Sequence, residues 1–564
     1  MRKSRLTRLL AGVLVIGLAA SACGDDKTSS SSTTASGVST TNAPATTAAP
    51  VKGGVITVGQ YSRENGLDPT KLNGGGTVGG SELAALYDTL MRYNPETGKY
   101  DPQLAESLVP NADYTEWTLK LRPNIKFPDG TALDSAAVDA VLERQLKDGS
   151  ASPKGQYTSQ VDSKTVVDAL SIRFKLKKGW VGFPYLFTGP WGLIYNINSF
   201  KKAADANAFN INPGSDAGVG PFRLKSYKPK ELIEFERNPG YWRGADNVYL
   251  DGLKFVFIGD PQATYDAVKT GTLQFGFVRD TGPFSDAVKN KLYTVYMPSP
   301  QGSIINMNSG PEITCAANST VPACAGQAAG AKVKVKTPTS DLNVRKAVQA
   351  AIDPKVVNDR AYNGLAKADS APYANLPLFD PKVPGPAYDV AAAKNYLAAA
   401  KAATGYDGKI RLMAANDPIA QRWVQAVKTL LELAGFTVDL KNDIDTAGLV
   451  NKVIGESDYD LTAWAYGQTD DTDGNYIGLV GTFTARRYGY GNADMDAAVD
   501  LLRLADTDQK RIDAYKKISE IWNRDAPAAV IATVDGGFVG TPKLSGVYRN
   551  GYQIVMYDKA SLAK

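Results

Sequence analysis

Residues 463–471 read Ala-Trp-Ala-Tyr-Gly-Gln-Thr-Asp-Asp, which places two large rings a few residues ahead of two carboxylates. Trp464 and Tyr466 could bury an apolar group, and Asp470 or Asp471 could pair an ammonium. The competing reading packs both rings into a core. It leaves Asp470, Asp471 and Asp473 as solvated turn residues, because Asp473-Gly474 is turn chemistry. A calcium loop fits less well. Asp471-Thr472-Asp473-Gly474 has part of the spacing, but no Glu follows at the required distance.

Composition narrows the chemistry further. The 564 residues contain no histidine. That removes Ser-His-Asp and Cys-His catalysis, HExxH zinc sites and imidazole ligands together. No catalytic residue, metal site or cofactor is expected. Three enzyme-like strings are set aside. Gly74-Gly75-Gly76-Thr77-Val78-Gly79 spells GxGxxG, but its strand ends too far upstream. Ser199-Phe200-Lys201-Lys202 and Lys269-Thr270-Gly271 spell SxxK and KTG, yet the middle SxN element is missing and the latter suits a helix end.

The start of the chain points to export. Arg2, Lys3, Arg5 and Arg8 precede an apolar run from Leu9 to Ala20 and small residues up to Cys23. A basic stretch, a short apolar stretch and a small-residue cleavage site make a signal peptide over residues 1–22. The apolar run is too short for a stable span. Cys23 stands where a bacterial lipobox Cys would be, although Ala20 holds the usual Leu position. Gly24–Pro50 is dominated by Ser, Thr and Ala without an aromatic residue. Such a segment cannot bury enough apolar area to order, so residues 23–50 read as a lipid-anchored linker reaching roughly 30 Å. Of the formal charge of +5, four positives lie in the signal segment. The remainder is nearly neutral, with nothing to suggest nucleic acid. Cys315 and Cys324 are expected to form a disulfide closing a loop in Pro311–Gly330, as an oxidising compartment favours.

The elements that must position these residues follow from periodicity. About 510 residues after the linker are too many for one core. Short strands are expected at Gly53–Gly59, Trp117–Leu121, Leu170–Leu176, Phe222–Tyr227, Leu232–Glu236 and Leu253–Ile258. Helices are expected at Ser81–Arg92, Ala136–Gln145 and Pro261–Thr270, and longer ones at Val344–Ile352, Ala391–Ala402, Ala420–Leu433, Met495–Leu504 and Asp508–Asn523. Strands at Lys409–Ala414 and Thr437–Leu440 bracket the helix Ala420–Leu433 as a βαβ unit. Val530–Val539 returns to a β pattern.

Several segments in order carry a resemblance. They are Leu67-Asp68-Pro69, Tyr87-Asp88-Thr89-Leu90, Pro102-Gln103-Leu104-Ala105-Glu106, Leu119-Lys120-Leu121-Arg122-Pro123-Asn124, Gly220-Pro221-Phe222, Glu236-Arg237-Asn238-Pro239-Gly240-Tyr241-Trp242, Val344-Arg345-Lys346-Ala347, Tyr490-Gly491-Asn492 and Asp525-Ala526-Pro527. Together they resemble extracellular solute-binding protein family 5, the oligopeptide, dipeptide and nickel class of ABC-importer receptors. The resemblance implies an α/β fold of two lobes joined by a two-segment hinge, with ligand in the cleft between them. Lobe I would be 51–300 with an extra subdomain at about 100–216, lobe II 301–533, and 534–564 a return to lobe I.

The resemblance also implies a monomeric, lipid-anchored extracytoplasmic receptor that is not an enzyme. It would hand a peptide-like solute to ABC permease subunits. Peptide-binding members carry a carboxylate three residues after the Trp, where this chain has Gly467, so Asp470 or Asp471 would have to meet the amine. Tyr61, Arg63 and Glu64 follow the first strand, where the family loop faces the cleft. Asn308 lies just past the predicted crossing, and Asn416 and Asp417 follow a strand end, where open α/β sheets bind ligands. Each of these is otherwise a surface loop residue. A sugar or chelate receptor, an extracytoplasmic hydrolase and a surface sensor remain the alternatives.

Overall fold

The computed structural model describes residues 49–62, 64–72, 75–298, 302–372, 383–466 and 489–564. Two sheets dominate them. The seven-stranded sheet runs in the order Tyr293–Pro298, Asp535–Gly540, Phe275–Val278, Val55–Gln60, Gly252–Phe257, Leu232–Arg237, Phe222–Lys228. Its centre is parallel: Val55–Gln60 pairs both Gly252–Phe257 and Phe275–Val278 in that sense. The five-stranded sheet runs Thr437–Ile444, Lys409–Ala415, Leu461–Tyr466, Gly302–Met307, Ala528–Ala532. The chain passes from the first sheet to the second between Pro298 and Gly302, and returns between Ala532 and Asp535. The expected β stretch Val530–Val539 is therefore two strands in different sheets. Local periodicity marks extended chain but carries no information on which sheet it joins.

The first sheet shares a large core with one face of the second, from which Ile304, Met413 and Val530 join it, and the other face of the second sheet has a core of its own. Ile56, Val58, Phe255 and Phe275 are buried in the first, and Ile305, Leu412, Val424 and Leu461 in the second. The helix Pro418–Leu433 covers the second sheet with Trp423, Val424, Val427, Leu430 and Leu431 inward, the 3.6-residue stripe of an amphipathic helix. With Lys409–Ala415 and Thr437–Ile444 it forms the expected βαβ unit, the two strands pairing in parallel.

A third, four-stranded antiparallel sheet joins Ala105–Pro110, Glu116–Leu121, Ser171–Leu176 and Val161–Asp168. Strict alternation builds it. Trp117, Leu119 and Leu121 turn inward while Thr118 and Lys120 are exposed, and Ile172, Phe174 and Leu176 repeat the pattern. The inner face meets an aromatic cluster, with Phe174 and Phe183 rings 5.5 Å apart and Trp117 and Phe183 5.7 Å apart.

The motifs that carry the family resemblance are structural fasteners. Asp68 is fully buried; it accepts the Thr70 amide at 3.0 Å and two bonds from the Arg144 guanidinium, which also reaches the Tyr195 hydroxyl at 2.8 Å. Asp88, also fully buried, accepts from the Thr89 amide, from Gln103 Nε2 at 2.7 Å and from Trp242 Nε1 at 3.1 Å, and lies 3.5 Å from Arg92. Four quoted segments thus converge on two carboxylates. Asp525 does similar work near the other end, accepting from Tyr490 at 3.0 Å while its carbonyl takes Arg345.

One helix ends early. The expected Ser81–Arg92 is a helix only over Gly80–Tyr87, and Met91–Asn94 is a strand. Asp88 sits at φ 63°, a left-handed conformation that a helix cannot continue through, and its buried bonds hold it there.

Cys315 and Cys324 form the expected disulfide, with Cα atoms 5.5 Å apart. It lies beside the hairpin of Glu312–Thr314 and Lys332–Lys334. Both cysteines are buried rather than at an open loop surface. Among the described residues no helix is long and apolar enough to cross a membrane. Residues 1–48, with the signal segment, Cys23 and most of the linker, lie outside the described residues.

Candidate functional site

The strand ends of the two main sheets meet at a cavity of about 780 Å3, within the range of small-molecule sites. From the first sheet come Tyr61, after Val55–Gln60, and Arg279 with Asp280, after Phe275–Val278. These two strands are parallel neighbours, with Val58 opposite Phe275, so their following residues emerge side by side. The Tyr61 ring lies 5.2 Å from that of Phe277, and the Arg279 guanidinium stands 5.2 Å from the centre of the Tyr61 ring.

From the second sheet come Ala415 and Asp417, after Lys409–Ala415, and Trp464 on the neighbouring strand. Asp417 caps the helix Pro418–Leu433, its Oδ1 accepting the amides of Ile419 and Ala420 at 3.0 Å each. Such a cap satisfies two amides that the helix itself leaves without partners. Trp423 extends the wall from the same helix, and Tyr362 adds a further ring. Arg422, also on that helix, donates to Asp280 at 2.7 Å, so one ion pair ties the two sheets at the cavity. Five aromatic rings, those four and Phe257, with a few charged groups suit an amphipathic solute better than a fully polar one.

The sequence candidates divide. Tyr61, Asp417 and Trp464 line the cavity. Glu64 does not: its carboxylate accepts the Tyr227 hydroxyl and the Lys230 amide, each at 2.7 Å. Asn308 is fully buried away from it, donating to the carbonyls of Ser457 at 2.9 Å and Tyr459 at 2.8 Å. Asn416 is exposed, bonds Ile444 through its backbone amide, and is not among the lining residues. Tyr466 ends the strand Leu461–Tyr466. Arg63, Gly467, Asp470 and Asp471 lie outside the described residues.

Sequence reasoning missed Arg279, Asp280, Tyr362 and Trp423. The first two follow Phe275–Val278, a strand buried at all four positions. A strand covered on both faces shows no alternation, which is the signal that would have found it.

The enzyme-like strings have structural roles. Ser199 and Lys202 both bond the Asp216 carboxylate, at 2.9 and 2.8 Å. Gly271, at φ +81°, follows the helix Pro261–Lys269. A Cβ on Gly75 or Gly76 would lie 2.1 Å from the carbonyl of Tyr552 or Gln553, so this run lets the C-terminal segment approach. Among the described residues no group of three or more Asp, Glu or Cys could hold a metal ion.

The glutathione-binding protein GsiB of Pectobacterium atrosepticum is 24% identical over 531 residues, 91% of this chain and 95% of that protein. The dipeptide-binding protein from Pseudoalteromonas sp. SM9913, solved with Met-Leu, superposes with a TM-score of 0.69 at 16% identity, covering 90% of this chain and all of that one. AgaA from A. tumefaciens R10, solved with agropinic acid, gives 0.68 at 21% identity over 91% and 99%. These likenesses establish a two-lobed binding-protein fold. Residues 99–485 match the family described as bacterial extracellular solute-binding proteins, family 5 Middle. The chain therefore belongs to the family 5 bacterial extracellular solute-binding proteins, the receptors of ABC importers.

Proposed function

We propose that this protein is an exported lipoprotein receptor that captures a peptide-like solute in the 780 Å3 cavity and delivers it to the permease of an ABC importer. The observation that carries the reading is the cavity itself. It lies where strand ends of the two main sheets meet, it is walled by Tyr61, Phe257, Tyr362, Trp423 and Trp464, and among the described strands the chain changes sheet twice. That layout suits hinge closure on a ligand, and closure is what lets a membrane partner tell a loaded receptor from an empty one.

In this reading the lobes are 51–300 with 534–564, and 301–533, with 100–216 as the extra subdomain. Residues 1–22 direct export, Cys23 carries the lipid, and 23–50 let the body stand off the membrane. Binding of glutathione by one relative and of Met-Leu by one structural neighbour supports a small peptide as the ligand class.

The test is a thermal-shift screen of glutathione, di- and tripeptides, N-acetylated peptides, sugars and metal chelates, followed by calorimetry. A ligand at a hundred times its Kd stabilises by about 2.7 kcal/mol. Stabilisation by peptides without turnover is expected. Response only to sugars or chelates would move the ligand class, and hydrolysis of a peptide or ester would overturn the receptor reading. Incorporation of labelled palmitate that is lost in Cys23→Ala tests the anchor.

A further inference from the structure

We infer that the cavity holds its solute by a carboxylate, seated on Arg279. The inference rests on the cavity being the ligand site and says which chemical group the solute must present there.

Arg279 lines the cavity and is half-buried. Its Nε is buried without a hydrogen-bond partner, and among the described residues no carboxylate lies within ion-pair distance. The acids beside it are engaged. Asp280, next in sequence, takes Arg422 at 2.7 Å. Asp417, across the cavity, has its Oδ1 on two helix amides. The guanidinium lies against the Tyr61 ring, which can neutralise part of the cost of holding a cation there but accepts no in-plane hydrogen bond.

A guanidinium has five N–H donors in a rigid fork that matches a carboxylate in a two-point contact. Tyr61 sets a ring 5.2 Å from the guanidinium and offers it no acceptor there. Two buried guanidiniums elsewhere do meet carboxylates of the protein, Arg144 with Asp68 and Arg92 with Asp88 and Asp558. When solute fills the cavity and displaces water, an unpaired guanidinium would lose its hydration with nothing in return. A carboxylate on the solute supplies the missing partner. A carboxamide of the same shape offers one neutral acceptor and a competing donor, and so fits the fork poorly.

The test compares ligands that differ only at this group. Met-Leu and Ala-Ala-Ala, each as free acid and as C-terminal carboxamide, and glutathione with its diamide, are titrated by calorimetry into wild type, Arg279→Gln and Arg279→Lys. Melting curves without ligand check that the variants fold. Wild type should bind the acid of a pair roughly ten- to hundredfold more tightly than the amide, the usual scale for a charged hydrogen-bonded contact. Arg279→Gln should bring that ratio to about one while leaving amide affinity nearly unchanged, and Arg279→Lys should fall between. The wild-type preference should also shrink as salt rises. Equal binding of acid and amide by wild type overturns the inference and leaves the receptor reading standing. So does an acid preference that survives in Arg279→Gln. Binding of neither form of any pair overturns both.

Discussion

Glu82 offers a sharp test of how burial sets charge in this protein. It lies in the first turn of the helix Gly80–Tyr87, where the helix dipole favours a negative charge by about 0.3–1 kcal/mol. Yet the side chain is 3% exposed, and burial pushes its carboxyl from 4.5 up to about 8, with the neighbouring Glu64 carboxylate pushing the same way. Desolvation therefore outweighs the dipole, and Glu82 is protonated in the folded protein at neutral pH. Tyr557 and Tyr227, the other titratable groups that sense it, keep their protons throughout this range, both being shifted upward.

The sign follows from proton counting. Between 4.5 and 8 the folded state holds a proton that the unfolded chain has released, so stability is full below about pH 4.5 and falls as pH rises towards 8. At 1.36 kcal/mol per pH unit, the gap amounts to roughly 4–5 kcal/mol. Glu82→Gln keeps the shape and cannot ionise. Urea unfolding of both proteins at pH 4.5, 6, 7 and 8 should show wild type losing that much more than the variant across the series. Other titrating groups, such as Asp496, are common to both proteins and cancel in the difference. Parallel stability curves would refute the buried neutral carboxyl.

Three further outcomes are expected. Asp68→Ala, which strands the buried Arg144 guanidinium, should lower stability by about 3–5 kcal/mol in urea, whereas a surface pair such as Lys355–Asp359 should give under about 1 kcal/mol on the same change. Cys315→Ala should lose about 2–3 kcal/mol, and alkylation should add two blocked thiols to wild type only after reduction, as read by intact mass. If Asp470 or Asp471 meets a peptide amine, its replacement by Ala should weaken free-amine peptides by about 2–5 kcal/mol in calorimetry and leave N-acetylated peptides unaffected.

Legibility in the sequence followed burial geometry. Glu116–Leu121 and Ser171–Leu176 were readable because each has one wet face and one dry face, so alternation survives. Pro418–Leu433 was readable for the helical version of the same reason, although the expected start at Ala420 fell two residues late because the Asp417 cap and Pro418 start were not used. Phe275–Val278 was not, being dry on both faces, and with it went Arg279 and Asp280. The switch of sheet between Ala532 and Asp535 was equally hidden, because the partner of a strand is chosen by distant chain. Of the candidates placed after visible strands, Tyr61 and Asp417 line the cavity and Asn416 does not. Asn308, just past another strand, is instead a buried clamp on Ser457 and Tyr459.

The motifs by which the family is recognised explain the asymmetry. Asp68 and Asp88, fully buried, and Asp525, half-buried, hold the fold through several bonds each, so replacing any of them strands the donors around it. Arg279 on the cavity wall makes no ion pair among the described residues, so the protein places no such constraint on it. Recognisable motifs therefore report the scaffold, and the ligand has to be read from the side chains that the scaffold leaves without partners.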